Sequence, residues 1–159
     1  MVLENIKFCR FKGQKYEWSM EGKSDGQPVS FQKINLIVGK NATGKSKTIN
    51  VIRQLSDLLS GDVKLSQLMY NTSSYDLLFD DNGKEVSYVL EFEEGKVKQE
   101  VLQINGVSKL QRNSHTGTMF YEKANTDLEF QMEEDKLAVS RVDNIQQPFF
   151  EPWQWLRRY

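Results

Sequence analysis

Apolar and polar residues alternate over the first eleven positions, with Val2, Ile6 and Phe8 set against Glu4, Lys7 and Arg10. A period of two is that of a strand with one buried face, so Val2 to Phe11 reads as a strand. Tyr16-Glu17-Trp18-Ser19-Met20 alternates again and reads as its hairpin partner across Lys12-Gly13-Gln14. Gly22 to Pro28 is rich in turn formers. Ile34-Asn35-Leu36-Ile37-Val38 is a short apolar run, the pattern of a buried strand. From Thr48 to Leu59 the period changes, and Ile49, Ile52, Leu55, Leu58 and Leu59 recur at near-helical spacing. Gly61 supplies a helix stop. Lys64 to Met69 has the length of a short second helix.

Beyond Tyr75 the period of two returns. Tyr75 to Phe79, Glu85 to Phe92 and Lys96 to Ile104 are strand-like, separated by Asp81-Asn82-Gly83 and Glu93-Glu94-Gly95 as turns. Asn105-Gly106 gives another turn, and Thr118 to Tyr121 and Leu128 to Met132 read as two further strands. This is an antiparallel meander and not a repeating βαβ array. Leu137-Ala138-Val139-Ser140 then leads to Asn144-Ile145-Gln146-Gln147-Pro148. A helix is predicted from Glu151-Pro152, with proline in its first turn. Phe149, Phe150, Trp153, Trp155 and Leu156 crowd apolar area into that end, which predicts a docking surface.

The chain has 159 residues and a net charge of −1, so one domain or part of one is expected, without a global cationic field for nucleic acid. DNA binding therefore draws no support from charge. The single cysteine, Cys9, excludes an intrachain disulfide and suits a reducing cytosol. No apolar stretch approaches the ~20 residues of a membrane span. His115 is the lone histidine, which argues against a histidine metal site or triad and for an exposed loop position.

Chemistry concentrates in Gly39-Lys40-Asn41-Ala42-Thr43-Gly44-Lys45-Ser46, which fits G-x-x-x-x-G-K-[ST] at every fixed position. The two glycines let the backbone approach phosphate oxygens with no Cβ in the way. Successive backbone N–H groups then form an anion site at a helix N-terminus. Lys45 would reach the β- and γ-phosphates, and the Ser46 hydroxyl would ligate Mg²⁺. The apolar run before the loop and the helical pattern after it supply the context this motif requires.

Hydrolysis needs a second acid at the end of a buried strand and a group that orients water. Leu77-Leu78-Phe79-Asp80-Asp81 is the one tempting match. Asn82-Gly83 and an alternating strand follow it, so a hairpin turn is the better reading. Leu59-Ser60-Gly61-Asp62 faintly matches a γ-phosphate signature but reads as a helix end. A guanine-reading Asn-Lys-x-Asp is missing, and neither the parallel continuation nor the arginine-rich lid of a small-molecule kinase is present.

Leu3-Glu4-Asn5-Ile6-Lys7, Arg10-Phe11, the hairpin and Ile34 to Ser46 together resemble the start of ABC-type ATPases of the SMC, RecF and OLD groups. The likeness is closest to the bacterial "AAA family" ATPases of that superfamily, many of them in anti-phage defence. It is strong over residues 3–55 and loose beyond; Ala42-Thr43 departs mildly from the family pattern. The resemblance implies an α/β fold, the N-terminal lobe of a phosphate-loop NTPase with an antiparallel meander beside the loop helix. Residues 1–70 would hold the hairpin, loop and helix, 71–135 the meander, and 136–159 a Q-loop-like segment and the start of a helix. It further implies cytoplasmic Mg-ATP binding by Gly39 to Ser46 with Lys47, flanked by Asn5 and Arg10, which equally suit an edge strand. Ser46 and Gln147 would meet the Mg²⁺, although Gln146 or a plain pre-proline loop reads as well. The signature and metal-binding acids lie in the family's C-terminal half. The resemblance thus implies a missing lobe or second subunit, a homo-oligomer in the complete protein, and hydrolysis only there. The alternative is a nucleotide-regulated protein-interaction module without catalysis.

Overall fold

The computed structural model describes residues 1–22, 27–32, 34–40, 44–122 and 124–140. The described residues form nine strands: β1 (Val2–Arg10), β2 (Trp18–Met20), β3 (Val29–Ser30), β4 (Ser73–Asp81), β5 (Lys84–Glu93), β6 (Lys96–Ile104), β7 (Val107–Asn113), β8 (Thr116–Tyr121) and β9 (Thr126–Gln131), of which β3 and β7 are not read from the alternation. One α-helix, α1 (Lys45–Ser60), lies between β3 and β4. All the strands join one sheet in the order β2-β1-β4-β5-β6-β7-β8-β9, with β3 also paired to β1. Every pairing is antiparallel.

Turn chemistry explains the meander. Asn82 and Gly83 both take positive φ, 55° and 85°, between β4 and β5. Glu94-Gly95 and Asn105-Gly106 repeat the pattern at the next two hairpins. Two left-handed residues in succession match the right-handed twist of the flanking strands, and glycine takes the second position without steric cost.

The alternation places one phase of each strand in a single core. Ile6 and Phe8 of β1, Tyr75, Leu77 and Phe79 of β4, and Val86, Tyr88, Leu90 and Phe92 of β5 are all buried there. Helix α1 adds Val51, Leu55, Leu58 and Leu59 from one face. Each such side chain contributes about 1.5–3 kcal/mol by leaving water. The Tyr75 ring lies 4.8 Å from Phe8 and stacks on Phe92 at 6.2 Å, which ties β1, β4 and β5 together. Cys9 is buried in β1, and burial pushes its thiol pKa up, so it packs as a small apolar group.

The α/β phosphate-loop lobe expected from the sequence is corrected here: the described residues form a large antiparallel sheet with one helix and no parallel strand pair. Parallel neighbours need crossover connections, whereas β4 to β9 follow one another through short turns. Ile34–Val38, expected to be a buried strand, pairs with no described strand, and Ile34, Leu36 and Val38 are 90%, 85% and 80% exposed. The local cause is visible. Val29 and Ser30 pair with Ile6 and Asn5, and Phe31 N–H donates to Glu4 O at 2.6 Å. The Asn35 side chain then bonds back to the backbone of Gln32, accepting from its N–H at 2.9 Å and donating to its carbonyl at 2.6 Å. These bonds tie Asn35 to the residue that follows Phe31, and the run beyond it joins no described strand. The second helix expected over Lys64 to Met69 is a single 3₁₀ turn, Leu65–Gln67. The predicted helix from Glu151, its aromatic cluster, and Gln146 and Gln147 lie outside the described residues. No helix among the described residues is long and apolar enough to cross a membrane.

Candidate functional site

Helix α1 begins at Lys45, inside the glycine-lysine motif, so the motif's last two residues form its first turn. Gly44 is the N-cap at φ 93°, ψ 6°, a left-handed conformation. A Cβ there would meet nothing within 4 Å, so the backbone angle and not crowding calls for glycine. No side chain caps this end and no acid occupies the first turn. Among the described residues, no side chain therefore supplies an anion to the orphan N–H groups and the positive end of the helix dipole.

Lys45 closes the loop on itself. Its ammonium donates to the carbonyl of Gly39 and, at 2.7 Å, to that of Lys40. The side chain thus bridges the start of the loop and the helix that ends it. Thr48 completes the helical turn, with its N–H donating to Gly44 O at 3.0 Å and its hydroxyl to the same oxygen at 3.3 Å. Ser46 and Lys47 are exposed on the first turn. Asn41, Ala42 and Thr43 lie outside the described residues.

Of the flanking residues, the structure brings Arg10 near this end and leaves Asn5 elsewhere. The Lys47 ammonium lies 5.8 Å from the centre of the Trp18 ring, and the Arg10 guanidinium lies 5.7 Å from the same ring. Arg10 also sits 4.4 Å over Tyr70 and 5.9 Å from Phe11, contacts of the cation–π type. Its Nε is buried without a hydrogen-bond partner among the described residues. Asn5 instead accepts a hydrogen bond from the Ser30 hydroxyl at 2.7 Å and holds β3 to β1. Asp80 and Asp81 end β4 at the hairpin. Asp80 accepts from Gly83 N–H at 2.8 Å, and Asp81 lies 3.6 Å from the N-terminal ammonium. Their roles are those of turn residues.

A second polar cluster went unread in the sequence. Glu100 and Arg112 face each other across β6 and β7, both fully buried. The Glu100 carboxylate accepts from Ala138 N–H at 2.9 Å, Val139 N–H at 3.1 Å, Tyr88 O–H at 3.0 Å and Arg112 Nη1 at 3.4 Å. Arg112 also donates to the carbonyls of Ser114, Lys136 and Glu133 at 2.6, 2.7 and 2.7 Å. Burial pushes the Glu100 pKa up against the opposing pull of these donors, and lowers that of Arg112 against the pull of Glu100. Tyr88 is raised well above its ordinary value, first by burial and then by the adjacent carboxylate. With every partner internal, the cluster is a clamp that holds residues 133–139 on the sheet. Its signal in the sequence was a charged residue in the inward phase of each of two successive strands.

A cavity of about 550 Å³ lies between the end of α1, at Leu58 and Gly61, and residues 131–140. It shares no residue with the loop. Among the described residues, no group of three or more His, Cys, Asp or Glu is placed to hold a metal ion. Comparison with protein-family models, with characterised proteins and with solved structures returns no match.

Proposed function

We propose that residues 39–46, at the head of α1, bind the phosphates of a Mg-nucleoside triphosphate, ATP being the expected ligand. The observation that carries this reading is Lys45: its ammonium spans the loop and rests on two carbonyls at a helix N-terminus that no described side chain caps and whose first turn holds no acid. A phosphate would draw that ammonium off the carbonyls and meet the first-turn N–H groups. Ser46, exposed beside it, would supply the hydroxyl for Mg²⁺. Lys47 and Arg10 add positive charge at 5.8 and 5.7 Å from the centre of the Trp18 ring. The likeness of residues 3–55 to ABC-type ATPases supports the ligand, while the antiparallel architecture gives no support to the remainder of that family's fold. A cytoplasmic setting suits both the ligand and the buried thiol of Cys9.

Binding without turnover is the form of this function that the residues favour. The strand-end acids Asp80 and Asp81 are engaged in a hairpin, and the exposed apolar run before the loop is a feature of an interaction module. Calorimetry with Mg-ATP on the 159-residue chain tests the site. Lys45→Ala removes a charge-assisted contact of about 1.5–3 kcal/mol, so affinity should fall roughly ten- to a hundredfold. Equal affinity in the two proteins would overturn the assignment.

A further inference from the structure

The cavity of about 550 Å³ beside the end of α1 has the make-up of a small-molecule site, an apolar hollow with a few polar groups turned towards it. Its floor is apolar. Leu58, Leu65 and Leu137 are buried there, and Val63 and Met132 are partly buried against the same core. Charges of both signs stand around it. The Lys64 ammonium lies 3.6 Å from the Asp135 carboxylate, and the Lys136 ammonium is paired with Glu133. These four side chains are 38–66% exposed. Ion pairs so solvated contribute little to stability, so each partner is available to a ligand. Both walls are set by the fold. Arg112 donates to the carbonyls of Glu133 and Lys136, and Glu100 accepts from Ala138 and Val139 N–H. Opposite, Asp62 and Val63 N–H donate to Asp57 O at 3.1 and 3.3 Å, and Lys64 N–H donates to the Gln67 side chain at 2.9 Å. Walls organised in advance lower the ordering cost of binding.

We propose that this cavity binds a small zwitterion with an apolar body, the chemistry of an apolar dipeptide with free termini. The ligand's ammonium meets the Asp135 and Glu133 carboxylates, its carboxylate meets the Lys64 and Lys136 ammonium groups, and its side chains lie on the leucine floor. Charge complementarity selects this class. Two cations and two acids leave the rim without net charge, so it favours neither a simple anion nor a simple cation. A ligand that carries both signs replaces each ion pair with charge-assisted contacts of the same kind and adds apolar burial. An uncharged apolar molecule gains the floor alone. The buried clamp of Glu100 and Arg112 thereby positions the wall of a site that neither residue lines. The cavity and the phosphate loop share no residue, so the proposal does not depend on nucleotide binding.

Calorimetry on the 159-residue chain with L-leucyl-L-phenylalanine tests the site. A Kd of roughly 10–500 µM is expected for a ligand of this size. The N-acetylated, C-amidated form of the same dipeptide keeps the apolar body and loses both charges, and should bind about tenfold or more weakly. Lys64→Ala removes one exposed rim cation. It should weaken the free dipeptide about three- to tenfold and leave the blocked form unchanged, with unaltered circular dichroism. The place of binding is read from amide chemical shifts, which should move at residues 63–65 and 132–137 on addition of the free dipeptide. No measurable binding at about 5 mM dipeptide, equal affinity for the free and blocked forms, a Lys64→Ala variant that binds the free dipeptide as the wild type does, or shifts confined to other residues would each overturn the proposal.

Discussion

Replacing Glu100 with alanine would expose how much of this fold depends on its buried clamp. In the native protein the carboxylate receives two backbone N–H groups, a tyrosine hydroxyl and a guanidinium, all shielded from water. The substitution leaves Arg112 charged and buried beside an apolar methyl. Breaking a buried ion pair on one side typically costs about 3–5 kcal/mol. Orphaned buried donors add about 1–3 kcal/mol each, though not additively. Arg112 keeps three carbonyl acceptors, which softens the loss. About 4 kcal/mol is the expected total, a large share of the ~5–15 kcal/mol stability of a domain. For a chain of this length that corresponds to a fall in Tm of roughly 8–16 °C. Urea unfolding followed by circular dichroism should show a lower midpoint with the slope preserved. Hydrogen exchange should show Ala138 and Val139 losing protection before β4 does. Glu100→Met with Arg112→Met should recover much of the loss, since a neutral pair of similar volume leaves no charge stranded. A cost below about 1 kcal/mol for Glu100→Ala, or a double variant weaker than either single one, would refute the account of the clamp.

Glu100→Gln isolates the titration of the same group. Its native pKa is raised above the ordinary 4.5, so the native state holds the proton more tightly than the unfolded chain does. The wild type should therefore gain stability relative to Glu100→Gln as pH falls from the raised native value towards 4.5, as read by unfolding curves at several pH values; a constant difference would contradict the sign. Gly117→Ala should destabilise by about 1–3 kcal/mol, because its Cβ would lie 2.8 Å from the backbone oxygen of Gln111 and 2.7 Å from the Phe130 ring, as thermal unfolding would report. Gly44→Ala, at φ 93°, should strain the start of α1 by about 1–2 kcal/mol and weaken Mg-ATP binding, measured by calorimetry beside Lys45→Ala.

Local periodicity and turn chemistry determined much of this protein from the sequence by itself. The alternation in Tyr75 to Phe130, punctuated by Asn82-Gly83, Glu94-Gly95 and Asn105-Gly106, is enough to specify an antiparallel meander, since strand period and left-handed turn pairs are properties of a few adjacent residues. The helical spacing from Ile49 to Leu59 likewise locates α1, and the glycine-lysine motif locates its head. Tertiary structure alone decided the rest. Ile34–Val38 carries the pattern of a buried strand, but burial requires neighbours, and no described strand pairs with the run. Glu100 and Arg112 went unread in the sequence, and only the β6–β7 register sets them face to face. Only then does the segment at Ala138 and Val139 acquire an anchor. The placement of Arg10 and Lys47 on one Trp18 ring is of the same kind. Those residues are eight to thirty-seven positions apart, and it takes the packing of hairpin against helix to bring them together.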